Sequence, residues 1–280
     1  MEQYKNKNGI KHKLIPIRPF LAITLFLISS QAMAVLTFSS PPRETKQEGN
    51  RIYKPVAEYL SKVLGQEVVY KHAGSWGIYQ AYMQKKKYDI VFDGPHFVAW
   101  RMAKLDHVPV ARLPGSLSFV IVTRRDESAP KNIKKLAGHR LCGLAPPNLA
   151  TLSVNAQFGA YREPSLYKTN SFKESYEKLI EGKCVAAVLR DVMIKKFDSK
   201  NLTRTIFKTR ALPSQAFSVS QSIGQINVRK INAALLSPDA AVPMQAFLKR
   251  YAKGKNLQPA MEKSYKGLEV LLKDFWGFNR

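Results

Sequence analysis

Short apolar strands alternating with amphipathic helices predict an α/β protein built on largely parallel sheets. Two observations refine this. The alternation runs in two series split by a polar stretch, Arg125 to Asn132, and from Gln225 onward the chain reads as helical. Two βαβ series joined mid-chain, with a helical tail, imply two lobes.

In order, Val35–Ser39 reads as a strand and Lys54–Leu64 as a helix, because Val56, Leu60, Val63 and Leu64 recur at helical spacing and Gly65 stops it. Glu67–Lys71 is a strand, and a helix follows from Ser75 to about Lys86 with Ser75 as its cap. Tyr88–Phe92 is a third strand, and Pro95 opens a helix at the position proline favours. Val108–Leu113 and the apolar run Leu117–Thr123 are two more strands. The second series gives strand His139–Leu144, helix Leu149–Phe158 and strand Ser165–Lys168. Helix Ser171–Glu181 follows, then strand Cys184–Leu189, a short helix from Asp191, and strand Thr203–Phe207. Phe217–Ser220 is a return strand, and Pro238, Gly254 and Pro259 break the helical tail.

The N-terminus carries a targeting signature. Lys5, Lys7, Lys11, Lys13 and Arg18 precede the apolar run Phe20–Ile28, and Ala32-Met33-Ala34 fits a small-x-small cleavage site. An apolar core of about ten residues falls short of the roughly 20 that span a bilayer. The expectation is a signal peptide over residues 1–34, cleaved after Ala34. The remainder, Val35–Arg280, is 246 residues with 40 Lys+Arg against 19 Asp+Glu. Such a charge attracts anions through its long-range field, or is simply a solvated basic surface. Lys85-Lys86-Lys87, at a helix end where cations meet the dipole favourably, needs no ligand.

Catalytic signatures are missing: no His-Glu-x-x-His helix, no Gly-x-Ser-x-Gly elbow and no Gly-rich phosphate loop ending in Gly-Lys-Ser/Thr. His12, His72, His96, His107 and His139 are scattered, none at metal-ligand spacing. No enzyme activity, metal or cofactor is expected. An exported enzyme or a DNA-binding basic protein would be a third class, and neither has a motif here. What stands out is polar sequence just beyond four strand ends, where open α/β sheets bind ligands. These are Ser39-Ser40-Pro41-Pro42-Arg43, Gly74-Ser75-Trp76, Asp93-Gly94-Pro95-His96-Phe97 and Pro146-Pro147-Asn148-Leu149-Ala150-Thr151. An ordinary turn with an N-cap would explain Ser75 and Asn148 alone; the convergence of four loops is the signal. Of the helix aromatics, Trp76 is the candidate ligand wall, while Tyr82 and Trp100 are better placed in the core.

Four strings carry a resemblance: YKPVAEYLSKVLGQEV, GIYQAYMQKKKYDIVFDGPHFVAWR, KKLAGHRLCGLAPPN and YEKLIEGKCVAAVL. In this order the chain resembles the phosphonate/phosphite/phosphate-type periplasmic substrate-binding proteins of ABC transporters. That likeness implies a two-lobed type 2 periplasmic binding fold, each lobe a mostly parallel sheet flanked by helices, with a two-strand hinge. It places a first lobe at 35–118 and 222–280 and a second at 119–221. It implies capture of a small ligand, phosphonate-like oxyanions among the candidates, for an ABC permease, in a monomer without nucleic acid. A sensory protein of the same fold, signalling to a membrane kinase or receptor, is the alternative. There Cys142 or Cys184 could serve as a soft ligand.

Against the family pattern, Leu149-Ala150-Thr151 stands where Ser-Thr-Ser is usual, Phe172 follows Ser171 where His is common, and Phe97 replaces a Tyr. Each lost donor to a buried oxyanion costs about 1–3 kcal/mol. The expected site is Ser39, Ser40 and Arg43, with Trp76, Asp93 and His96, closed by Asn148, Thr151 and Arg190 from the second lobe. Arg43 and Arg190 are the expected anion partners, the rival role for Arg190 being an ion pair with Asp191 or another surface acid. Cys142 and Cys184 fall on strands that neighbour each other in such a lobe, about 4.8 Å apart. They either bridge or stay as two buried thiols.

Overall fold

The structure, a computed structural model, describes residues 34–159, 162–275 and 277–278. The expected leader lies outside the described residues except for Ala34.

The first series gives β1 (Leu36–Ser39), α1 (Lys46–Leu64), β2 (Val68–Tyr70), α2 (Trp76–Gln84), β3 (Ile90–Asp93), α3 (Pro95–Leu105) and β4 (His107–Arg112). Helix α1 starts well before the expected Lys54. Thr45 caps it by accepting from the Glu48 N–H at 3.3 Å, and Gly65 ends it in a left-handed conformation at φ 65°. Pro55 lies inside it, where the ring forbids one backbone bond. A face of Ile52, Tyr53, Val56, Ala57, Leu60 and Leu64, buried at helical spacing, holds the longer helix together. Ser75 caps α2 through the Ile78 N–H, and Pro95 opens α3, both as the sequence indicates.

The chain crosses to the second lobe through β5 (Ser116–Leu117), which the sequence merges with β6 (Phe119–Arg124). There follow β7 (Arg140–Leu144), α4 (Leu149–Asn155), β8 (Ser165–Thr169), α5 (Phe172–Ile180), β9 (Ala186–Arg190), α6 (Ile194–Phe197) and β10 (Thr203–Lys208). It returns through β11 (Leu212–Pro213), which pairs antiparallel with β5 to make the two-strand hinge. Then come β12 (Ala216–Ser220), α7 (Gln225–Leu236), α8 (Gln245–Ala252), β13 (Gln258–Pro259) and α9 (Glu262–Tyr265).

The first sheet runs β13-β4-β12-β3-β1-β2 and the second β10-β6-β9-β7-β8. β1, β2 and β3 are mutually parallel, as are β7, β8 and β9. The antiparallel members are β12 and β13 in the first sheet and β6 in the second. The architecture is therefore the two-lobed α/β binding-protein fold. One strand changes lobe: Phe217–Ser220, expected before the return at Ser222, belongs to β12 and pairs with β3 and β4 in the first sheet. The tail is also less simple than a first-lobe appendage. Tyr265 and Leu268 share a buried cluster with Val98 and Ala99 of α3 and with Leu149 and Ala150 of α4.

Cys142 and Cys184 form a disulfide with Cα atoms 5.8 Å apart, tying β7 to the start of β9. Both are buried. Bonded and buried among Val120, Leu179 and Leu189, neither is a soft ligand for a bound group.

Candidate functional site

In each sheet the strand order reverses at one point, and the crevice outside the strand ends there is where such sheets bind ligands. In the first lobe the reversal lies between β1 and β3, in the second between β7 and β9. All four strand ends open on one cavity of about 500 Å³. Pro42 and Arg43 reach it after β1, Gly94, Pro95, His96 and Phe97 after β3, and Leu144, Pro147 and Asn148 from β7. Arg190 ends β9, Trp76 opens α2 after β2, and Asn170, from the loop after β8, and Phe172, opening α5, complete this rim. Leu117, Phe119 and Gln215 supply the wall where the chain crosses between lobes. A second cavity of about 380 Å³, between α4, β10–β11 and the tail, gathers none of these strand ends.

Of the expected site residues, Arg43, Trp76, His96, Asn148 and Arg190 line the cavity. The other four do not, and each is occupied elsewhere. Ser39 donates to the Lys71 carbonyl at 2.8 Å, joining β1 to the end of β2, and Ser40 is buried with its hydroxyl 3.4 Å from that of Tyr70. Thr151 donates to the Leu144 carbonyl at 2.6 Å, fastening α4 to β7. Asp93 is fully buried and paired with Arg101 at 2.7 Å. Tyr79 donates to the same carboxylate and accepts from Arg101 at 3.0 Å. Desolvation raises the Tyr79 pKa well above its ordinary value, with the Asp93 charge adding to it, so the phenol stays protonated as that donor.

Arg190 is the opposite case. Asp191, its expected rival partner, pairs instead with Lys208 at 2.7 Å and accepts from Ser118. Among the described residues no acid pairs with Arg190; its Nε is buried without a hydrogen bond, and burial lowers its pKa below the usual arginine value. Arg43 sits across the cavity in the field of Asp93 and Glu44. A third arginine, Arg250, reaches the cavity from α8 and lies 3.5 Å from Glu44. Among the described residues no Asp or Glu lines the cavity.

His96 is buried at the start of α3, and its Nε2 lies 3.0 Å from the Pro147 carbonyl, a link between the two lobes. A carbonyl only accepts, so Nε2 carries the proton. Desolvation pulls the His96 pKa down to about 3, and the charge of Arg43 pushes the same way against the bond to Pro147. The ring is thus neutral near pH 7. Asn148 caps α4 by accepting from the Ala150 N–H at 3.0 Å. Trp76 is 38% exposed. Its ring stacks on Phe97 (6.1 Å between centroids, 24° between planes) and meets Tyr79 edge-on at 6.3 Å. Trp100 is in the core, but Tyr82, expected there too, is 48% exposed and only leans on Tyr88. Sequence reading also missed Asn170, Gln215 and Arg250. Asn170 directly precedes the capping Ser171 and was open to inference; the other two come from segments with no motif.

Among the described residues no His, Cys, Asp and Glu cluster could hold a metal ion. The cavity can hold an anion through cationic donors and an apolar group against its rings.

The sequence profile described as ABC transporter, phosphonate, periplasmic substrate-binding protein matches residues 38–265. No curated protein sequence matches the chain. Solved structures share the fold. A Xanthomonas citri protein bound to ATP superposes with a TM-score of 0.68 at 14% identity, over 88% of this chain and 97% of that one. PhnD1 of Prochlorococcus marinus, in complex with methylphosphonate, gives 0.61 at 16% identity, over 85% and 97%. A binding-protein component of an ABC phosphonate transporter from Pseudomonas aeruginosa gives 0.54 at 11% identity, over 81% and 82%. With the profile spanning both lobes and the strand ends meeting at one interlobe cavity, the chain belongs to the phosphonate-type periplasmic substrate-binding proteins of ABC transporters.

Proposed function

We propose that this member of the family captures a small organic anion in the interlobe cavity and passes it to its permease. One observation carries the reading: among the described residues Arg43, Arg190 and Arg250 line the cavity and no carboxylate does. Arg43 and Arg190 are the principal anion partners, because a guanidinium is permanently charged and grips two oxygens at once. Arg250 is already committed to Glu44 and contributes mainly field. Trp76, His96 and Asn148 shape the walls. Ser39, Ser40, Asp93 and Thr151 hold the strand ends in place and do not touch the ligand. Two proteins that share the fold were solved with ATP and with methylphosphonate, both phosphorus oxyanions, which supports an anionic ligand here.

In this reading the first lobe comprises 35–118 and 216–280, and the second 119–215. The leader is removed after Ala34, and the monomer works in the periplasm as a carrier without catalysis. The test is mass spectrometry of protein purified from its native periplasm. A mature chain beginning at Val35, with an anionic small molecule released on denaturation, is expected. A neutral or cationic ligand would sink the anion assignment, and an intact Met1 would sink the processing.

A further inference from the structure

The cavity carries more information than its charge. Its cationic groups stand beside an apolar wall contributed by both lobes: Trp76 and Phe97 from the first, Leu149 and Phe172 from the second. Trp76 is a rigid plate. Phe97 covers one face at 6.1 Å, Tyr79 abuts it edge-on, and more than a third of the residue's surface stays open. The platform continues through Phe97 to the His96 ring, 4.2 Å between centroids. Beyond it, a pocket of about 200 Å³ shares Trp76, Phe97 and Pro147 with the main cavity.

A compact tetrahedral oxyanion would use little of this. Hydroxyl donors surrounding its oxygens would suit it, yet among the described residues no Ser, Thr or Tyr lines the cavity, and the Thr151 hydroxyl is spent on the Leu144 carbonyl. A void of about 500 Å³ sits inside the range of about 300–1,000 Å³ typical of sites for drug-sized ligands. Beside a small hydrated ion the open face of Trp76 would stay wet, and that exposure favours a ligand able to cover it.

Resting on the anion reading above, we infer that the ligand is an oxyanion joined to a flat aromatic or heteroaromatic body. The oxyanion lies between Arg43 and Arg190, and the flat body lies over Trp76 and against Phe172. Planar rings stack on aromatic side chains in offset or edge-on geometry with a gain beyond simple area burial. The same arrangement disfavours a cationic substituent, which would approach Arg43 and Arg190 without a carboxylate to receive it.

The test is calorimetric titration of the mature protein with methylphosphonate, phenylphosphonate and benzoate. Phenylphosphonate is expected to bind at least tenfold more tightly than methylphosphonate, and benzoate reports whether a carboxylate head can replace the phosphonate. Trp76→Ala should reduce the phenyl-over-methyl preference to threefold or less, phenylphosphonate losing more affinity than methylphosphonate. Trp76 is the first residue of α2 and partly exposed, so an unchanged melting temperature is the check on folding. Phe172→Ala, in the other lobe, gives an independent version of the same readout. Methylphosphonate binding as tightly as phenylphosphonate overturns the aromatic inference and leaves the anion reading standing. So does a preference untouched by both substitutions. Absence of binding by all three anions overturns the anion reading itself, and this inference with it.

Discussion

Two arginines, one in the wall of the cleft and one buried behind it, make opposite use of the same side chain. Arg101 lies under the floor, buried to 1% side-chain exposure, and is answered by Asp93 at 2.7 Å and by the Tyr79 hydroxyl. Arg190 stands in the wall, partly buried, with an unbonded Nε and no acid in reach among the described residues. A buried charge inside a complete hydrogen-bonded network is part of the scaffold. One left uncompensated at the edge of a cavity is a place where the fold gives up stability, and in the proposed function an anion would restore it. The comparison separates supporting groups from contacting groups more sharply than residue type or sequence position does.

Substituting the floor gives the largest expected effect. Asp93→Ala would place Arg101 in the situation of Arg190, but deeper and with no cavity to face. Breaking such a buried pair costs about 3–5 kcal/mol. Urea unfolding of mature protein should show it; a loss under about 1 kcal/mol would mean that water reaches Arg101 and that floor and wall are not different after all.

Arg190→Ala tests the wall. Affinity for the released anion should fall by about 1.5–3 kcal/mol, the scale of a lost charged hydrogen bond. Stability without ligand should hold or rise, since an uncompensated group has been removed. Lys86, exposed at the end of α2, is the control for the overall field. Lys86→Ala should shift either quantity by about 0.5 kcal/mol or less. Equal weakening by both substitutions would assign the attraction to net charge and dissolve the distinction.

His96 sits between the two cases, kept neutral by burial and by Arg43. Unfolded, it binds a proton near pH 6.5; folded, it resists protonation until about pH 3. Between those values the unfolded state holds more protons, so stability is full above the unfolded pKa and declines on acidification. The slope approaches about 1.4 kcal/mol per pH unit for this group. His107, also held well below its usual pKa by burial with a further push from Arg101, adds in the same direction. His96→Gln should make the fall between pH 7 and pH 5 shallower. Parallel wild-type and variant profiles by chemical denaturation would show that His96 is solvated in solution and that its bond to Pro147 does not persist.

Element identity was largely open to reading from the chain. Ser75 and Ser171 cap their helices and Pro95 opens its own, because capping and proline geometry are settled within a turn of the residue concerned. Boundaries were less legible. Helix α1 begins at Lys46 because a tyrosine, Tyr53, and Ile52 are buried by partners far along the chain, among them Phe247. The candidate site was legible as four loops and as five of its expected residues, Arg43, Trp76, His96, Asn148 and Arg190. Ser39, Ser40, Asp93 and Thr151 lie at the same strand ends and bond away from the cavity. Whether a polar side chain at a strand end turns to the cleft or to the next strand depends on what that strand offers. Lys71 and Leu144 offered carbonyls, and Arg101 offered a charge.

The sequence by itself determined the α/β alternation, the order of the two series and the overwhelming positive charge, all properties of local period and composition. Only the tertiary structure decided that both sheets reverse their strand order toward one cavity, and that β12 returns to the first sheet. It also decided that Arg101 is answered by Asp93 while the Nε of Arg190 is left without a hydrogen bond. Those outcomes depend on pairings across long stretches of chain, such as Asp191 with Lys208 or Arg250 with Glu44, which no local pattern encodes. Local chemistry is written along the chain, whereas a cleft is made by the meeting of strand ends that the chain brings together only once folded.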